Sequence, residues 1–396
     1  MISKLIKALR TDPAGFPRRA ASAVAEQARL LAFRHAPGGK GYCVHYGVHR
    51  NGNAGDTALF TATRRLFDRQ MGRQDWRMLP VRAPVEARDI SRINAEAKAV
   101  LVGGGGLIIP DSVPGSRSGW QWNLAIEDLR RLERPLVLSA VGYNNFHGQT
   151  GFSPQFEAHI YETIERAAFV GLRNNGSIRS LSGHLPPPLA EKLRWQPCPT
   201  TVLSRLYPEY DRPWQAGRHL AINLAFDRAD RRFGSGPEAS VKEIAEAAAH
   251  MVAKGWRASF AVHDPRDRFY LPLLRQFGLT FDVVDIAHAP ISAIYEYYCT
   301  TDLTIGMRGH GQMVPFGLQR PVFTLASHPK MTYFLEDIGH EEWGVDIRQP
   351  GFRDRLIAGM EAIADDPDGT RDRLTAAQDR LWSVMQDNAE SLRPYF

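Results

Sequence analysis

Short apolar runs alternate with amphipathic stretches along most of the chain, and turns rich in glycine or charge separate them. A short apolar run bounded by turn residues indicates a buried strand, and apolar residues spaced three or four apart indicate a helix. Strands that alternate with helices are typical of parallel sheets with crossover helices. The predicted strands are residues 42–46, 99–102, 136–141, 169–172, 219–224, 257–262 and 322–325. The predicted helices are residues 14–36, 57–67, 120–131, 156–167, 238–254, 270–277, 291–299, 352–364 and 371–388.

The alternation stops in a proline-rich stretch and then starts again. Such a break indicates a connection between domains, and 396 residues suit two domains better than one. The sequence therefore predicts an α/β protein with two Rossmann-like, doubly wound domains facing a cleft. The predicted parts are a basic N-terminal helical segment (1–40), an N-terminal domain (41–205), a linker (206–217), a C-terminal domain (218–370) and a C-terminal helix (371–396). One arrangement packs this last helix back on the N-terminal domain.

Positive charge is concentrated at the start of the chain. The formal net charge is +6, and residues 1–40 carry eight Lys or Arg against two acidic residues, which accounts for the whole excess. The remainder is balanced, which argues against a nucleic-acid-binding protein with a basic working face.

Residues 1–12 combine apolar and basic positions at helical spacing. Ile2, Leu5, Ile6 and Leu9 share one side, with lysines and an arginine between them. This pattern predicts a basic amphipathic helix that rests on an anionic membrane surface. The alternatives are a helix packed on its own domain and a frayed terminus. No apolar run approaches the length of a bilayer span, and no secretory signal is visible.

The three cysteines lie far apart in the sequence and show neither metal-ligand spacing nor a disulfide framework. Cysteine usage of this kind fits a reducing compartment. We therefore expect a cytoplasmic protein, which would be peripheral on the inner face of the membrane if residues 1–12 bind there.

Residues 302–330 read as a strand, a charged turn, a helix, a second strand and a second charged turn. The first turn carries Arg308, Gly309 and His310, and the second carries Lys330. Ligands of open α/β sheets bind where strands end and helices begin. Because both turns carry cations, we expect them to hold an anion, with His310 able to titrate near neutral pH. The alternative is an exposed Arg and Lys beside a structural His.

Two glycine-containing turns are predicted in the first half of the chain. Asn53 and Asp56 stand at a strand-to-helix turn, where Asp56 either caps the helix or orients or deprotonates a hydroxyl. Gly104 and Gly105 belong to a run of four glycines that we expect to form a turn at a helix start, where a ligand approaches the backbone closely. The alternative is a tight turn without a ligand. The run lacks the spacing of a nucleotide fingerprint.

Arg173 follows the predicted strand at 169–172 and precedes a helix. This position suits bidentate contact with a carboxylate or phosphate, and the alternative is a surface Arg beside turn residues. No His or Cys pair has zinc spacing, so we predict no metal.

The loops 108–122 and 143–152 are expected to select a second ligand. They contain polar and aromatic residues that would stack on or hydrogen-bond a sugar, and the alternative is ordinary packing and turn roles. These residues are Trp120, Trp122, Tyr143 and Asn144.

Taken together, these motifs resemble the polysaccharide pyruvyl transferase family. The motifs are Asn-Ala-Gly-Asp at 53–56, Val-Gly-Gly-Gly-Gly at 102–106, Gly-Leu-Arg-Asn-Asn-Gly-Ser at 171–177, Met-Arg-Gly-His at 307–310 and Ser-His-Pro-Lys at 327–330. Their order and spacing cover roughly residues 42–340. The N-terminal segment and the end of the chain lie outside the resemblance.

The resemblance implies a fold like the two-domain GT-B glycosyltransferases, with an acceptor side in the N-terminal domain and a donor side in the C-terminal domain. It implies transfer of the pyruvyl group of phosphoenolpyruvate to two hydroxyls of a sugar in a surface or exopolysaccharide precursor. The products are a cyclic ketal and phosphate. Phosphoenolpyruvate is the co-substrate and no other cofactor is implied. If residues 1–12 touch a membrane, a lipid-linked oligosaccharide is the expected acceptor.

The resemblance also implies roles for residues. Arg173 and Arg308 would clamp the donor, His310 would be the general acid towards the donor, and Asp56 would be the base towards the acceptor, unless these last two roles are exchanged. The further donor residues are Gly309 and, by a looser match, Lys330. The residues expected at the acceptor or close to a ligand are Asn53, Gly104, Gly105, Tyr143 and Asn144.

Two other functions fit the same motifs. A GT-B glycosyltransferase that uses a nucleotide sugar shares the fold, the glycine turns and the cationic cleft. A non-catalytic polysaccharide-assembly protein shares the fold but has no need of a titratable His beside an Arg.

Overall fold

The protein contains two six-stranded sheets, and every pair of neighbouring strands is parallel. The computed structural model describes residues 16–48, 52–110, 113, 115–146, 148–149, 151–212, 214, 217–233 and 236–396. Helices cover the sheets, so the central strands are buried on both faces, as is typical of all-parallel sheets. The predicted α/β class with two Rossmann-like halves is confirmed. The predicted amphipathic helix at residues 1–12 lies outside the described residues.

The first sheet has the strand order β2-β1-β3-β4-β5-β6. Its strands are β1 (Tyr42–Gly47), β2 (Trp76–Pro80), β3 (Ala97–Ile108), β4 (Leu136–Tyr143), β5 (Phe169–Leu172) and β6 (Leu193–Trp195). The helices of this half are α1 (Phe16–His35), α2 (Ala54–Met71), α3 (Ala87–Glu96), α4 (Ile126–Arg130), α5 (Pro154–Arg166), α6 (Asn175–Ser182), α7 (Pro187–Ala190) and α8 (Leu203–Leu206).

The second sheet has the order β12-β11-β10-β7-β8-β9. Its strands are β7 (His219–Asn223), β8 (Arg257–Val262), β9 (Asp282–Asp285), β10 (Leu303–Gly306), β11 (Val322–Ala326) and β12 (Gly344–Asp346). The helices are α9 (Ala229–Arg232), α10 (Pro237–Ala253), α11 (Leu271–Gln276), α12 (Ile291–Cys299), α13 (Gly309–Gly317), α14 (Pro329–Ile338), α15 (Arg353–Asp365) and α16 (Pro367–Leu392). Short 3₁₀ segments are Pro199–Val202, Pro208–Tyr210, Pro265–Tyr270, Glu341–Trp343 and Arg393–Tyr395.

The prediction that the four glycines after residue 102 form a turn at a helix start is wrong. They continue strand β3 to Ile108. Gly104 and Gly105 have φ values of 78° and 110°, which other residues rarely adopt. A Cβ on Gly103 would lie 2.4 Å from the Ser139 carbonyl oxygen of β4. The glycines therefore allow the strand to extend through an irregular register beside β4.

The predicted helix at 120–131 is reduced to Ile126–Arg130. The apolar residues Trp120 and Trp122 favoured a helix in the prediction, but they are buried in an irregular segment that precedes the helix. The edge strands β2, β6, β9 and β12 and the helices α3 and α14 were not predicted, because short elements carry little periodic signal.

Helix α16 runs back to the first half of the protein. The Gln70 side-chain amide donates to the Met385 carbonyl at 3.2 Å, and that of Asn388 donates to the Trp195 carbonyl at 2.7 Å. The Phe396 ring lies 4.8 Å from the Phe67 ring. The predicted domain boundaries stay a prediction. None of the helices in the described ranges is long and apolar enough to cross a membrane.

Candidate active site

A cleft of about 250 Å³ lies between the two sheets. Residues just beyond the carboxyl ends of nine strands line it, which is where open α/β sheets bind ligands. Among the described residues, seven Lys or Arg side chains and two carboxylates line the cleft. The charged lining residues are Asp56, Arg82, Arg173, Asp227, Arg228, Arg232, Arg266, Arg308 and Lys330. This excess of positive charge favours an anionic ligand.

The helices α2, α13 and α14 also begin at the cleft, since residues of their first turns line it. The first N–H groups of a helix lack partners within the helix, and the helix dipole makes that end positive. Their convergence therefore adds to the anion-attracting field of the cleft.

Arg173 follows β5 and is 5% exposed. Its Nε and Nη2 atoms are buried without a hydrogen-bond partner among the described residues. The guanidinium lies so close to the backbone of β4 that a Cβ on Gly142 would be 2.6 Å from Nη2. Burial lowers the pKa of Arg173, but a guanidinium keeps its proton in proteins. A buried charge without a partner is costly, so this side chain is prepared for an anion.

Lys330 enters the cleft from the opposite half. It is the second residue of α14, and its N–H donates to His328 Nδ1 at 3.0 Å, which caps the helix. Its Nζ lies 5.9 Å from the ring centroid of Phe146 and forms no salt bridge with a described residue. Burial, followed by Arg232 and Arg173, lowers the pKa of Lys330 to about 7. Arg173 and Lys330 are thus two cations that face one cleft from both sides and that form no hydrogen bond or salt bridge with a carboxylate of the described residues.

Arg308, in contrast, is held by carboxylates. Its Nε lies 2.9 Å from Asp267 Oδ2, its Nη2 2.5 Å from Asp267 Oδ1 and its Nη1 3.3 Å from Asp227 Oδ1. Burial opposes the charge, but these two carboxylates raise the pKa of Arg308. The sequence predicted Arg308 as a donor clamp and missed both partners.

Other charged lining residues were also missed. Arg232 donates to Asp227 Oδ2 at 2.8 Å and to the Ser327 hydroxyl at 3.2 Å. Arg266 donates to both oxygens of Asp264. The charged run 227–232 could have identified Arg232, because it follows strand β7 just as the motifs with Arg173 and Arg308 follow strands β5 and β10.

His310 is the second residue of α13, and its Nε2 lies 3.8 Å from Cys198 Sγ. A Cβ on Gly55 would lie only 2.7 Å from the Cβ of His310, so glycine at position 55 allows the two halves to meet here. Burial, followed by Arg173 and Lys330, holds the pKa of His310 well below its ordinary value. The imidazole is therefore neutral at neutral pH in the empty cleft.

Asp56 lines the same cleft, in the first turn of α2. The cap of this helix is Asn53, whose side-chain oxygen accepts the Asp56 N–H at 3.0 Å. Helix capping by Asp56 is therefore the wrong interpretation, and the carboxylate faces the cleft with His310 from the other half.

The predicted acceptor residues divide into two groups. Asn53, Gly105 and Asn144 line the cleft, and Asn144 Oδ1 is buried without a hydrogen-bond partner in the described chain. Gly104 packs towards Leu59 instead, with a Cβ position 3.1 Å from Leu59 Cγ.

The predicted aromatic contacts to a sugar are not formed by this cleft. The Tyr143 hydroxyl lies 3.1 Å from His184 Nε2, away from the lining. Trp120 and Trp122 are 1% and 0% exposed, so their predicted role in sugar stacking is wrong. Phe146 lines the cleft and was missed.

A GT-B-like fold with a cationic interdomain cleft is the class that this geometry defines. A glycosyltransferase from Rickettsia africae has a similar structure, with a TM-score of 0.53 and 11% identity over 90% of this chain and 98% of the other. A Listeria monocytogenes protein described as a UDP-N-acetylglucosamine 2-epimerase has a TM-score of 0.50 and 12% identity over 89% and 97%. At such identities the likeness concerns the fold alone.

The family model of polysaccharide pyruvyl transferases matches residues 48–329, and the chain belongs to this family. A search of curated proteins finds no match. The family points to a transferase that acts in polysaccharide pyruvylation, with a sugar or polysaccharide acceptor.

Proposed function

We propose that the protein transfers the pyruvyl group of phosphoenolpyruvate to two hydroxyls of a sugar in a surface or exopolysaccharide precursor, and that it releases phosphate and a cyclic ketal. The observation that carries the proposal is the pair Arg173 and Lys330, which face one cleft from both halves and form no salt bridge with a carboxylate in the described part of the chain. Phosphoenolpyruvate carries a carboxylate and a phosphate, so it supplies negative charge to both cations at once.

The donor lies between the two walls of the cleft. Arg173 suits bidentate contact with one anionic group of the donor, and Lys330 contacts the other. Arg308 and Arg232, which are paired with Asp267 and Asp227, form the wall behind them, and Gly309 leaves room at the start of α13. The developing charge on the leaving phosphate is stabilised by the same cations.

His310 and Asp56 lie on the acceptor side of this arrangement. Neutral His310 accepts the proton of an attacking hydroxyl, which is the exchanged form of the predicted roles. Asp56 orients the hydroxyl pair, and Asn53 and Asn144 supply further polar contacts. The proposed chemistry uses no cofactor besides the co-substrate.

The acceptor is proposed to be a lipid-linked oligosaccharide, with the protein on the cytoplasmic face of a membrane. This part of the proposal rests on the basic, amphipathic sequence of residues 1–12. Deletion of these residues should reduce sedimentation with anionic vesicles, and unchanged sedimentation would contradict it.

The test of the reaction is incubation of the full chain with phosphoenolpyruvate and a panel of acceptor sugars, followed by phosphate release and product mass. We expect ketal and phosphate in equal amounts, and loss of turnover in His310→Ala. Normal turnover in that variant would refute the role of His310. A thermal-shift comparison with UDP-sugars tests the glycosyltransferase alternative, which predicts stabilisation by the nucleotide sugar instead.

A further inference from the structure

Addition of a hydroxyl to phosphoenolpyruvate requires a proton at the methylene carbon, C3, as C2 is attacked. We propose that Lys330 is the general acid that delivers this proton. The inference rests on the proposed donor, and it gives a catalytic role to a residue considered above only as a cation.

Lys330 is positioned to approach a ligand between the two halves. The cap formed by His328 fixes its backbone, and Lys330 Cε lies 4.0 Å from the position of a Cβ on Gly309, at the start of α13. Phe146 faces the ammonium from the other half, 5.9 Å from Nζ to the ring centroid. Within the described ranges no carboxylate forms a salt bridge with Nζ, so the ammonium is available to the donor.

The other cationic and imidazole groups of the cleft are poor acids. Arginine side chains keep their protons. Burial lowers the pKa of His263 to about 3, and its Nε2 is engaged by the Tyr298 hydroxyl. His310 is neutral for the reasons given above.

The carboxylate of Asp227 does not supply the proton either. Although burial opposes ionisation, Arg232 and Arg308 hold the pKa of Asp227 well below its ordinary value. An ionised carboxylate only accepts hydrogen bonds and has no proton to give.

Charged groups from several elements face Lys330. Arg232, Arg173 and Arg308 oppose its charge, Asp227 favours it, and His310 is a neutral neighbour. After burial, this positive surrounding accounts for a pKa of about 7. In the empty cleft such an ammonium yields its proton more readily than an ordinary lysine. The anionic donor raises this pKa on binding and so keeps Lys330 charged until the proton is transferred.

The proposed step balances without an oxidant or reductant. A hydroxyl oxygen bonds to C2, the electrons of the C2=C3 double bond take the Lys330 proton, and C3 becomes a methyl group. The hydroxyl proton passes to His310. The bond from C2 to the phosphate oxygen then breaks with its electron pair on phosphate, and the second hydroxyl oxygen bonds to C2. Of the two hydroxyl protons, one reprotonates the Lys330 amine and the other is released with phosphate.

The test separates donor binding from turnover. Lys330→Arg keeps the positive charge but withholds the proton. We expect it to bind phosphoenolpyruvate within about threefold of the wild-type affinity by calorimetry and to lose about 100-fold in kcat, in line with the loss of a general acid. Lys242→Arg, in an exposed pair with Glu246, is the matched control and should behave as wild type. A Lys330→Arg enzyme with kcat within tenfold of wild type would overturn the proposal.

If Lys330→Arg fails to bind the donor, a second experiment tests whether Lys330 gives a proton. It measures whether small cations added to the solution restore kcat to Lys330→Ala at saturating phosphoenolpyruvate. Methylammonium can deliver a proton and should raise kcat, whereas guanidinium restores only charge and should not. Equal effects of the two cations, or no rescue, would overturn the proposal. If the wild-type enzyme forms no ketal from phosphoenolpyruvate, the proposed function itself fails, which is a distinct result.

Discussion

The two walls of the cleft carry their positive charge in different ways. On the C-terminal side, Arg308, Arg232 and Arg266 are paired with carboxylates. On the N-terminal side, Arg173 is buried and its Nε and Nη2 have no hydrogen-bond partner in the described chain. Burial of an unpaired charge is unfavourable, and a bound anion would relieve it.

The difference distinguishes cations that carboxylates hold in place, which form the wall of the cleft, from cations that are available to bind an anionic ligand. Bidentate pairing fixes a guanidinium and neutralises most of its field. Lys330 lies on the paired wall but resembles Arg173, since it also lacks a carboxylate partner among the described residues. An anion held between Arg173 and Lys330 is contacted from both halves, so we expect it to stabilise the folded protein through linkage.

The largest effect is expected on the paired wall. Asp267→Asn removes the charge that holds Arg308 and leaves a buried guanidinium with only Asp227 at 3.3 Å. We expect the free energy of unfolding to fall by about 3 kcal/mol, because breaking a buried pair leaves an uncompensated charge. The change in the free energy of unfolding is measured by urea denaturation.

The control for this variant is Glu296→Gln, which breaks a bidentate but exposed pair with Arg212. An exposed pair contributes about 0–1 kcal/mol. Similar losses in both variants would contradict the distinction between buried and exposed pairs.

The next effect is expected on the unpaired wall. Arg173→Met keeps the apolar stem and removes the charge, so we expect phosphoenolpyruvate affinity to fall roughly 100-fold, as for the loss of charged hydrogen bonds. The protein should be as stable as wild type or more stable, because an unpaired buried charge is gone. Calorimetric binding and urea denaturation measure the two quantities.

Arg194→Met, an exposed residue of β6, is the control for Arg173→Met and should change neither quantity. If Arg173→Met destabilised the protein and left binding intact, Arg173 would be a structural residue, and the contrast between the walls would disappear.

The sequence predicted the cations at strand ends because each follows an apolar run, as with Arg173, His310 and Lys330. The sequence does not predict which of these cations is paired with a carboxylate. Asp267 is 41 residues from Arg308, and only the folded chain brings the two side chains together. The contact of Gly55 with His310 is likewise long-range and leaves no local pattern.

The elements were predicted well where they are long or buried and poorly at sheet edges. Strand β5 and helix α12 match their predicted bounds. Strand β3 was cut short, because four glycines normally end a strand, whereas here they extend it against β4. For Trp120 and Trp122 the sequence left sugar contact and ordinary packing open, because burial of an aromatic residue cannot be read from the local sequence.

A smaller effect is expected where the two walls meet. Gly55→Ala places a Cβ 2.7 Å from the Cβ of His310, which must move. We expect a loss of about 2 kcal/mol in unfolding free energy from overpacking, with a lower kcat and a nearly unchanged affinity for phosphoenolpyruvate. Gly183→Ala is the control, since its Cβ position has only an ordinary contact of 3.5 Å. A stable, fully active Gly55→Ala protein would show that the halves do not meet at His310 during turnover.

The smallest effect is a pH dependence specific to Lys330, whose pKa is about 7 in the empty cleft. Below this pH the ammonium is charged, and above it the group is neutral. An anion favours the charged form and raises the pKa, so binding takes up a proton above pH 7. Between pH 7 and 8.5, where the donor phosphate is fully ionised, we expect affinity to fall at most tenfold per pH unit, or about 1.4 kcal/mol.

Calorimetry in buffers of different ionisation enthalpy measures this proton uptake directly. Arginine does not titrate in this range, so Lys330→Arg should bind phosphoenolpyruvate with the same affinity from pH 7 to 8.5. The same slope in both proteins would assign the titration to another group. Arg173 keeps its charge throughout, so Arg173→Met should weaken binding at every pH. Because Arg173 also lowers the pKa of Lys330, the variant should start to lose affinity only at a higher pH than the wild type, which distinguishes the permanent cation of one wall from the titrating cation of the other.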